Sequence, residues 1–131
     1  MAIRVTPFLL FEGKAEEAMN LYISLFNIAG IKMLERYTEA EKGKTGTVKK
    51  GIVTLNGVDI ICVDSSVKHD FTFTPASSIF VECSTVFEIQ DIFKALSENG
   101  KVLMPLDNYG FSEKYAWLND RFGVSWQLSW G

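Results

Sequence analysis

The sequence is poor in the residues from which many metal and nucleophile sites are built, with one histidine and two cysteines among 131 residues. It also lacks any long run of lysine or arginine, and its net charge is −3 with a pI near 5.1. Nucleic-acid-binding domains carry clustered basic side chains, so this balance argues against a DNA or RNA partner. One histidine cannot build a two-histidine metal site.

Long apolar runs are missing as well. No stretch approaches the roughly 20 apolar residues that span a bilayer, and the N-terminus has neither the basic flank and apolar run of a secretory signal nor its small-residue cleavage site. Cys62 and Cys83 lie in runs typical of buried strands, which favours reduced thiols in a core over a disulfide framework. We therefore expect a soluble, cytoplasmic protein with no membrane partner.

What the chain does contain is apolar and aromatic side chains. Hydrophobic residues make up 47% of it, including 10 Phe, 4 Tyr and 3 Trp. This is enough for one domain with a substantial core, while 131 residues are too few for two ordinary domains. The composition predicts a single domain over residues 1–131.

The first half of the chain predicts one strand, one helix and three further strands. Residues 3–11 are rich in strand formers, and residues 14–26 repeat apolar side chains at helical spacing, with Glu16 and Glu17 in the first turn. Strands are predicted at residues 31–37, 47–55 and 58–64. Asn56-Gly57, between the last two, is a strong signal for a two-residue hairpin.

The second half repeats this order. A strand is predicted over residues 77–83, and Thr85 with Glu88 forms a capping box, in which each side chain accepts a hydrogen bond from a backbone amide at the start of a helix. Asn99-Gly100 supplies a left-handed residue at the helix end. Three more strands are predicted at residues 101–106, 114–119 and 124–130.

The predicted fold class is therefore α+β, built from two βαβββ modules. The first covers residues 1–64, the second residues 77–131, and the polar segment 65–76 links them within one domain. His69 lies in this linker beside Asp70. A solvated loop histidine is favoured there over an acid-base group.

Four segments carry a family resemblance: Thr6-Pro7-Phe8, residues 71–78 (FTFTPASS), Val81-Glu82-Cys83 and residues 117–127 (WLNDRFGVSWQ). With the repeated βαβββ order, the chain resembles the PhnB-like branch of the vicinal oxygen chelate superfamily, also called the glyoxalase/bleomycin-resistance superfamily. The resemblance implies mixed sheets that curl around a shared cavity, and a homodimer. Surplus aromatic side chains also favour a shared surface between two copies.

Metal-dependent members of that superfamily place His, Glu, His and Glu on the first, fourth, fifth and eighth strands. By resemblance, these positions fall near Thr6, at Ile61 or Cys62, near Ser78 and on Gln127. A set of hydroxyls, a thiol and an amide lacks the imidazole and carboxylate groups that hold zinc, nickel or manganese. We therefore predict no cofactor, and a divalent metal at these positions is the less favoured alternative.

Strand alternation extends the candidate ligand-binding set. If Gln127 faces inward, Ser125 and Ser129 do too, while Trp126, Leu128 and Trp130 pack beneath helices or at a subunit contact. The full predicted set is Thr6, Phe8, Cys62, Ser78, Phe80, Trp117, Ser125 and Gln127. Such a mixture of aromatic rings, hydroxyls and an amide is typical of a site that orients a small, partly apolar ligand.

Two functions remain open from the sequence, beside a third, purely structural role in a larger assembly. One is a metal-free module that binds a small molecule, as bleomycin-resistance relatives do. The other is an enzyme in which Glu82, Asp107 or the Cys62 thiol moves a proton on an oxygenated substrate, with or without a metal ion that the substrate recruits. Asp107, Glu113 and Asp120 fall near strand ends, where solvated turn carboxylates are expected, although any of them could act as a base if burial raised its pKa.

A methyltransferase label often accompanies relatives of this branch. The scattered glycines occur at predicted turns and make no glycine-rich nucleotide fingerprint, which argues against a classical S-adenosylmethionine methyltransferase. The sequence therefore supports a resemblance and a fold but names neither a ligand nor a reaction.

Overall fold

The computed structural model describes all residues 1–131 and contains two helices and eight strands. In chain order the elements are β1 Phe8–Phe11, α1 Ala15–Ile23, β2 Ala29–Arg36, β3 Val48–Leu55, β4 Val58–Asp64, β5 Ile79–Cys83, α2 Val86–Ser97, β6 Lys101–Asp107, β7 Lys114–Asn119 and β8 Ser125–Trp130. The predicted order βαβββ, repeated once, is confirmed. No helix is long and apolar enough to cross a membrane.

The chain forms two compact units, residues 1–70 and 71–131, and the division between them falls inside the segment 65–76. Each unit has one helix and one four-stranded sheet, with strand orders β1-β4-β3-β2 and β5-β8-β7-β6. In each sheet the first strand pairs in parallel with the last, and the remaining pairs are antiparallel. These mixed sheets confirm the α+β class.

The first unit buries one face of α1 against its sheet. Ala15, Ala18, Met19 and Tyr22 of this helix are fully buried. Gly51 of β3 lies directly under the helix, because a Cβ there would stand 2.7 Å from Met19 Cε. The apolar stripe therefore packs as its helical spacing predicts.

The hairpin between β3 and β4 is also as predicted. Asn56 and Gly57 both have positive φ, 48° and 88°, the backbone of a type I′ turn. The turn sets Leu55 opposite Val58 and so fixes the register of the two strands.

The second unit has an equivalent core. The fully buried side chains of Leu118, Trp126 and Leu128 lie on the face of β7 and β8 that α2 covers, and Ile89 and Leu96 of α2 are fully buried as well. Burial of Trp126 and Leu128 with partial exposure of Gln127 between them confirms the predicted alternation along β8.

The start of α2 differs in one bond from the predicted capping box. Thr85 Oγ1 accepts the backbone N–H of Glu88 at 3.0 Å, as predicted. The Glu88 carboxylate accepts the backbone N–H of Ser84 at 2.8 Å, one residue before the cap. Both bonds still satisfy amides near the helix start. At the other end Asn99, with φ 58°, is the left-handed residue.

The first strand is shorter than predicted. It begins at Phe8 rather than at residue 3, and Ile3 and Val5 are almost fully exposed. Strand pairing reaches back only to Pro7, whose carbonyl accepts the Ile61 N–H at 2.9 Å. Apolar composition alone does not make a strand where no partner strand is present.

Candidate functional site

One face of the second unit's sheet is not covered by α2, and we call it the open face. The strand pairing orders its side chains in rows that run across neighbouring strands. The first row is Ser125, Asn119 and Lys101, with Ser78 directly before β5 at its other end. The second is Phe80, Gln127, Trp117 and Met104, and the third is Glu82, Ser129, Tyr115 and Asp107. Predicted residues of the second unit therefore stand side by side.

Gln127 lies at the centre of this face and both ends of its amide are engaged. Its Oε1 accepts the Tyr115 hydroxyl at 2.6 Å, and its Nε2 donates to Ser78 Oγ at 2.8 Å. Burial raises the pKa of Tyr115, with a further contribution from Tyr109, so the phenol keeps the proton that it donates. We call Tyr115, Gln127 and Ser78 the amide relay.

A second polar pair lies beside the relay. The indole nitrogen of Trp117 donates to Ser125 Oγ at 2.8 Å, which fixes the ring that stands opposite Gln127. Farther along β8, Ser129 donates to Ser112 Oγ at 3.0 Å. The hydroxyls of β8 therefore hold neighbouring side chains in place.

Aromatic rings continue the open face beyond the relay. Phe111 packs edge-on against Tyr115 with ring centroids 4.9 Å apart, and Tyr109 does so at 5.8 Å. Phe111 is 65% exposed and Phe80 is 55% exposed. The relay is therefore bordered by partly exposed rings that a ligand can contact.

Asn119 lies between Ser125 and Lys101 in the first row and differs from its neighbours. Its Oδ1 is buried and accepts no hydrogen bond in the protein. Buried acceptors are nearly always satisfied, because an unpaired one costs about 1–3 kcal/mol. An unpaired oxygen on the same face as the amide relay marks a position at which a ligand donor would be stabilised.

The carboxylates near this face fall into two groups. Glu82 and Asp107 are exposed, and neither contacts Gln127. Asp120 was expected to be a solvated turn carboxylate, and this is wrong, because only 3% of it is exposed. Its oxygens accept the N–H groups of Phe122 and Val124 and the Trp126 indole at 2.9–3.1 Å. Asp120 therefore organises the turn before β8 and lies on no open surface.

The first unit places its candidate residues on different faces. Phe8 pairs with Ile61 and is 55% exposed, and Thr6 precedes β1 and is half-buried. Cys62 pairs with Gly51 on the face that α1 covers and is fully buried. Burial, with the nearby Asp64 charge, raises the pKa of the Cys62 thiol to about 12. Ile61, and not Cys62, is the neighbour of Phe8.

His69 also lies in the first unit. It is half-buried, and its Nε2 is 2.9 Å from Ser65 Oγ. The predicted loop position is correct, while the ring is more enclosed than a solvated histidine. This hydroxyl belongs to the same segment, so its contact with the ring helps to order residues 65–69.

The residues at the four superfamily positions do not fit a divalent metal. Cys62 is buried as a protonated thiol, and the Gln127 carbonyl oxygen already accepts the Tyr115 hydroxyl. No group of three or more His, Cys, Asp or Glu side chains is arranged to hold a metal ion. Zinc and the other divalent transition metals need imidazole, thiolate or carboxylate ligands, which this set does not supply.

Two residues of this face were missed from the sequence. Tyr115, Trp117 and Asn119 are alternate residues of β7 and therefore lie on the same face of the sheet. This period of two is the sequence signal from which Tyr115 and Asn119 could have been predicted. Their contacts with Gln127 and Ser125 depend on the register of β7 against β8, which the sequence pattern does not fix.

Comparisons with known protein families and with solved structures agree on one family for this chain. The profile of the 3-demethylubiquinone-9 3-methyltransferase family matches residues 3–129. A PhnB protein from Bacillus cereus is 53% identical, with a TM-score of 0.96, over 98% of this chain and 99% of its own. No curated protein gives a significant match.

More distant solved structures share the fold alone. Protein PA1353 from Pseudomonas aeruginosa is 20% identical, with a TM-score of 0.84 over 98% of each chain. The fosfomycin resistance protein FosX from Listeria monocytogenes, solved with Mn(II) and a dihydroxypropylphosphonic acid, is 9% identical, with a TM-score of 0.63 over 98% of this chain and 93% of its own. The same architecture thus occurs in a protein that holds a metal.

Proposed function

The chain belongs to the 3-demethylubiquinone-9 3-methyltransferase family, the PhnB-like branch of the vicinal oxygen chelate superfamily, and on that premise we propose that it is a metal-free small-molecule binding module. The observation that carries the proposal is the amide relay. Gln127 replaces the final superfamily glutamate and is held by two hydroxyls, while aromatic rings beside it stay accessible. Convergent polar groups among aromatic walls are typical of ligand sites.

The proposed contacts in the second unit are Ser78, Phe80, Trp117, Ser125 and Gln127, to which the structure adds Tyr115 and Asn119. Thr6 and Phe8 lie in the first unit and stay predictions from the resemblance. Cys62 is left out of the proposed set, because it lies under α1 on the other face of its sheet.

Binding is favoured over the alternative of an enzyme by the chemistry around Gln127. A proton-transfer enzyme needs an ionisable group in a shielded position with a pKa near the working pH. The Cys62 thiol is held protonated, and Glu82 and Asp107 are exposed. The groups bonded to Gln127 are hydroxyls, which hold and orient a ligand without exchanging protons near neutral pH.

We also propose a homodimer and a cytoplasmic location. Exposed apolar rings support the dimer, with Phe87 72% and Phe71 60% exposed, since solvent-facing aromatic side chains are enriched at interfaces. Two free, buried cysteines support a reducing compartment. Sedimentation equilibrium tests the dimer, and a monomer throughout the micromolar range would contradict it.

The binding proposal is tested by proton–nitrogen correlation spectra recorded with a library of small aromatic and carbonyl compounds. We expect some compounds to shift the side-chain amide signals of Gln127 and the indole signal of Trp117, and to lose affinity in Gln127→Ala. Glu113→Ala, on the loop before β7, is the matched control. A library in which no compound moves these two signals would defeat the proposal.

A further inference from the structure

The hydrogen-bond direction along the open face carries information about the ligand. We propose that this face selects a neutral aromatic carbonyl compound that also carries an O–H or N–H donor. The inference rests on the proposed binding function and adds the chemical class of the ligand. It depends on two polar atoms, the hydroxyl hydrogen of Ser78, whose oxygen accepts the Gln127 amide, and the buried Oδ1 of Asn119.

The first group is the hydroxyl hydrogen of Ser78. Tyr115 gives its hydroxyl hydrogen to Gln127 Oε1, and Gln127 Nε2 gives a hydrogen to Ser78 Oγ. Every donor in the relay therefore points toward Ser78, whose own hydrogen has no acceptor in the protein. A hydroxyl that already accepts one hydrogen bond is well placed to donate the next. The end of the relay thus offers a donor, which requires an acceptor oxygen on the ligand.

The second group is Asn119 Oδ1, the buried acceptor without a donor. Asn119 pairs with Ser125, and Ser78 directly precedes Ile79, which pairs with Trp126, so Ser78 and Asn119 lie two strands apart on either side of β8. Neighbouring strands are separated by about 4.8 Å, which sets these two backbones about 10 Å apart. A ligand that reaches both needs an acceptor at one end and a donor at the other, with a rigid spacer between them.

The spacer is indicated by the adjoining row. Phe80 and Trp117 stand on the two strands that flank Gln127, so their rings border the amide from opposite sides. The Trp117 ring is fixed by its bond to Ser125, while Phe80 is more than half exposed. Aromatic side chains in such positions stack against planar rings. An aromatic spacer is therefore the group that these two flanking rings would favour.

The charges on this face favour a neutral acceptor over an anion. No cation contacts the amide relay, and the charged side chain nearest Ser78 along β5 is Glu82. Lys101 pairs with Asn119 on β6, at the far end of the first row from Ser78. A carboxylate placed at the Ser78 hydroxyl would meet one donor and no compensating charge, which disfavours its transfer out of water.

The test uses four matched probes: para-hydroxyacetophenone has both groups, acetophenone lacks the donor, para-ethylphenol lacks the acceptor, and para-hydroxybenzoate replaces the neutral carbonyl with an anion. Dissociation constants come from the Gln127 amide and Trp117 indole signals. Each neutral hydrogen bond is expected to contribute up to about tenfold in affinity. We expect para-hydroxyacetophenone to bind tightest and para-hydroxybenzoate to bind weakest.

Variants separate the two ends of the ligand. Ser78→Ala removes the donor and should bring para-hydroxyacetophenone down to the affinity of para-ethylphenol. Asn119→Ala removes the acceptor and should erase the difference between para-hydroxyacetophenone and acetophenone. Gln127→Glu offers only acceptors, so the Ser78 hydroxyl turns inward and the same loss as in Ser78→Ala is expected. Gln90→Ala, at an exposed position of α2, is the folding-neutral control.

The outcomes distinguish this inference from the function on which it rests. The proposed selectivity would be overturned if all four probes shifted the Gln127 and Trp117 signals with equal affinity, or if para-hydroxybenzoate bound tightest. Either result would still support a binding module. Four probes that leave both signals unmoved at millimolar concentration would overturn the inference, while a library compound that moves them would still support binding.

Discussion

The Tyr115 hydroxyl donates to the Gln127 side-chain carbonyl over 2.6 Å, and the two residues stand diagonally across the antiparallel pair β7 and β8. Diagonal neighbours on one sheet face lie within reach of long side chains. Because the phenol supplies the donor, the amide is turned so that its nitrogen faces Ser78. The Tyr115–Gln127 bond therefore sets the direction of the hydrogen bonds along the open face.

We predict that Tyr115→Phe lowers the free energy of unfolding by about 1–2 kcal/mol, because it leaves the half-buried Gln127 oxygen without its donor. Urea unfolding followed by circular dichroism measures the change. Tyr109→Phe is the matched control, since that hydroxyl bonds an exposed carbonyl, that of Pro105, which water can satisfy. Equal losses in the two variants would contradict a special role for the Tyr115 bond.

The same tyrosine gives a prediction at alkaline pH. Burial raises the pKa of Tyr115 above that of an unfolded tyrosine, about 10. The folded state thus holds the proton more tightly, and this contribution to stability is complete below about pH 10 and is lost as the pH rises toward the folded pKa. The stability difference between the wild type and Tyr115→Phe should shrink above that pH. A stability difference that stays constant up to the pH at which the protein unfolds would contradict this prediction.

Two buried aspartates are predicted to dominate the stability of their units. Asp64 accepts the backbone N–H groups of Gly13, Ala15 and Val48 at 2.7–3.0 Å, and Asp120 accepts two backbone amides and the Trp126 indole. Removing either carboxylate leaves three N–H donors without their acceptor. The free energy of unfolding of each alanine variant, measured in guanidinium, should therefore fall by at least about 3 kcal/mol.

Asp91→Ala is the control for both aspartates, because Asp91 is an exposed carboxylate of α2. It should change stability by less than about 0.5 kcal/mol. If Asp64→Ala or Asp120→Ala behaved like Asp91→Ala, the assigned hydrogen bonds would contribute nothing.

The cysteines are predicted to be unreactive while the protein is folded. Burial raises the pKa of Cys62 to about 12 and that of Cys83 to about 11, with smaller contributions from Asp64 and Glu88. Thiolate is the reactive form, so little of it is present near neutral pH. Ellman's reagent should label neither thiol in buffer and both in guanidinium. Fast labelling of native Cys62 would show that it is reachable and reactive.

Local patterns predicted most of the fold because each element is specified by nearby residues. The Asn56-Gly57 turn, the Thr85 cap and the alternation along β8 each depend on a few neighbours in sequence. The beginning of β1 was predicted too early, since pairing and not composition decides where a strand starts. Burial of Asp120 was missed because its donors come from the loop fold and from the Trp126 indole.

The site was predicted less completely, for a physical reason. Gln127, Ser125 and Ser78 followed from the resemblance and from alternation, and they do lie side by side. On β4 the alignment with the superfamily position was uncertain by one residue, Ile61 or Cys62. Neighbouring residues of a strand point to opposite faces of the sheet, so this uncertainty decides which face the residue occupies. Contacts such as Tyr115 with Gln127 depend on strand register, which is a property of the folded sheet.

The most direct test of the central claim is metal analysis of the purified, untagged protein, combined with thermal unfolding in the presence of nickel, zinc, manganese or magnesium. We predict no stoichiometric metal and no metal-dependent rise in Tm, because the Gln127 amide bonds hydroxyls and brings no charge. A bound metal in a one-to-one ratio, with a Tm increase that a chelator and Gln127→Ala both abolish, would contradict the metal-free binding module.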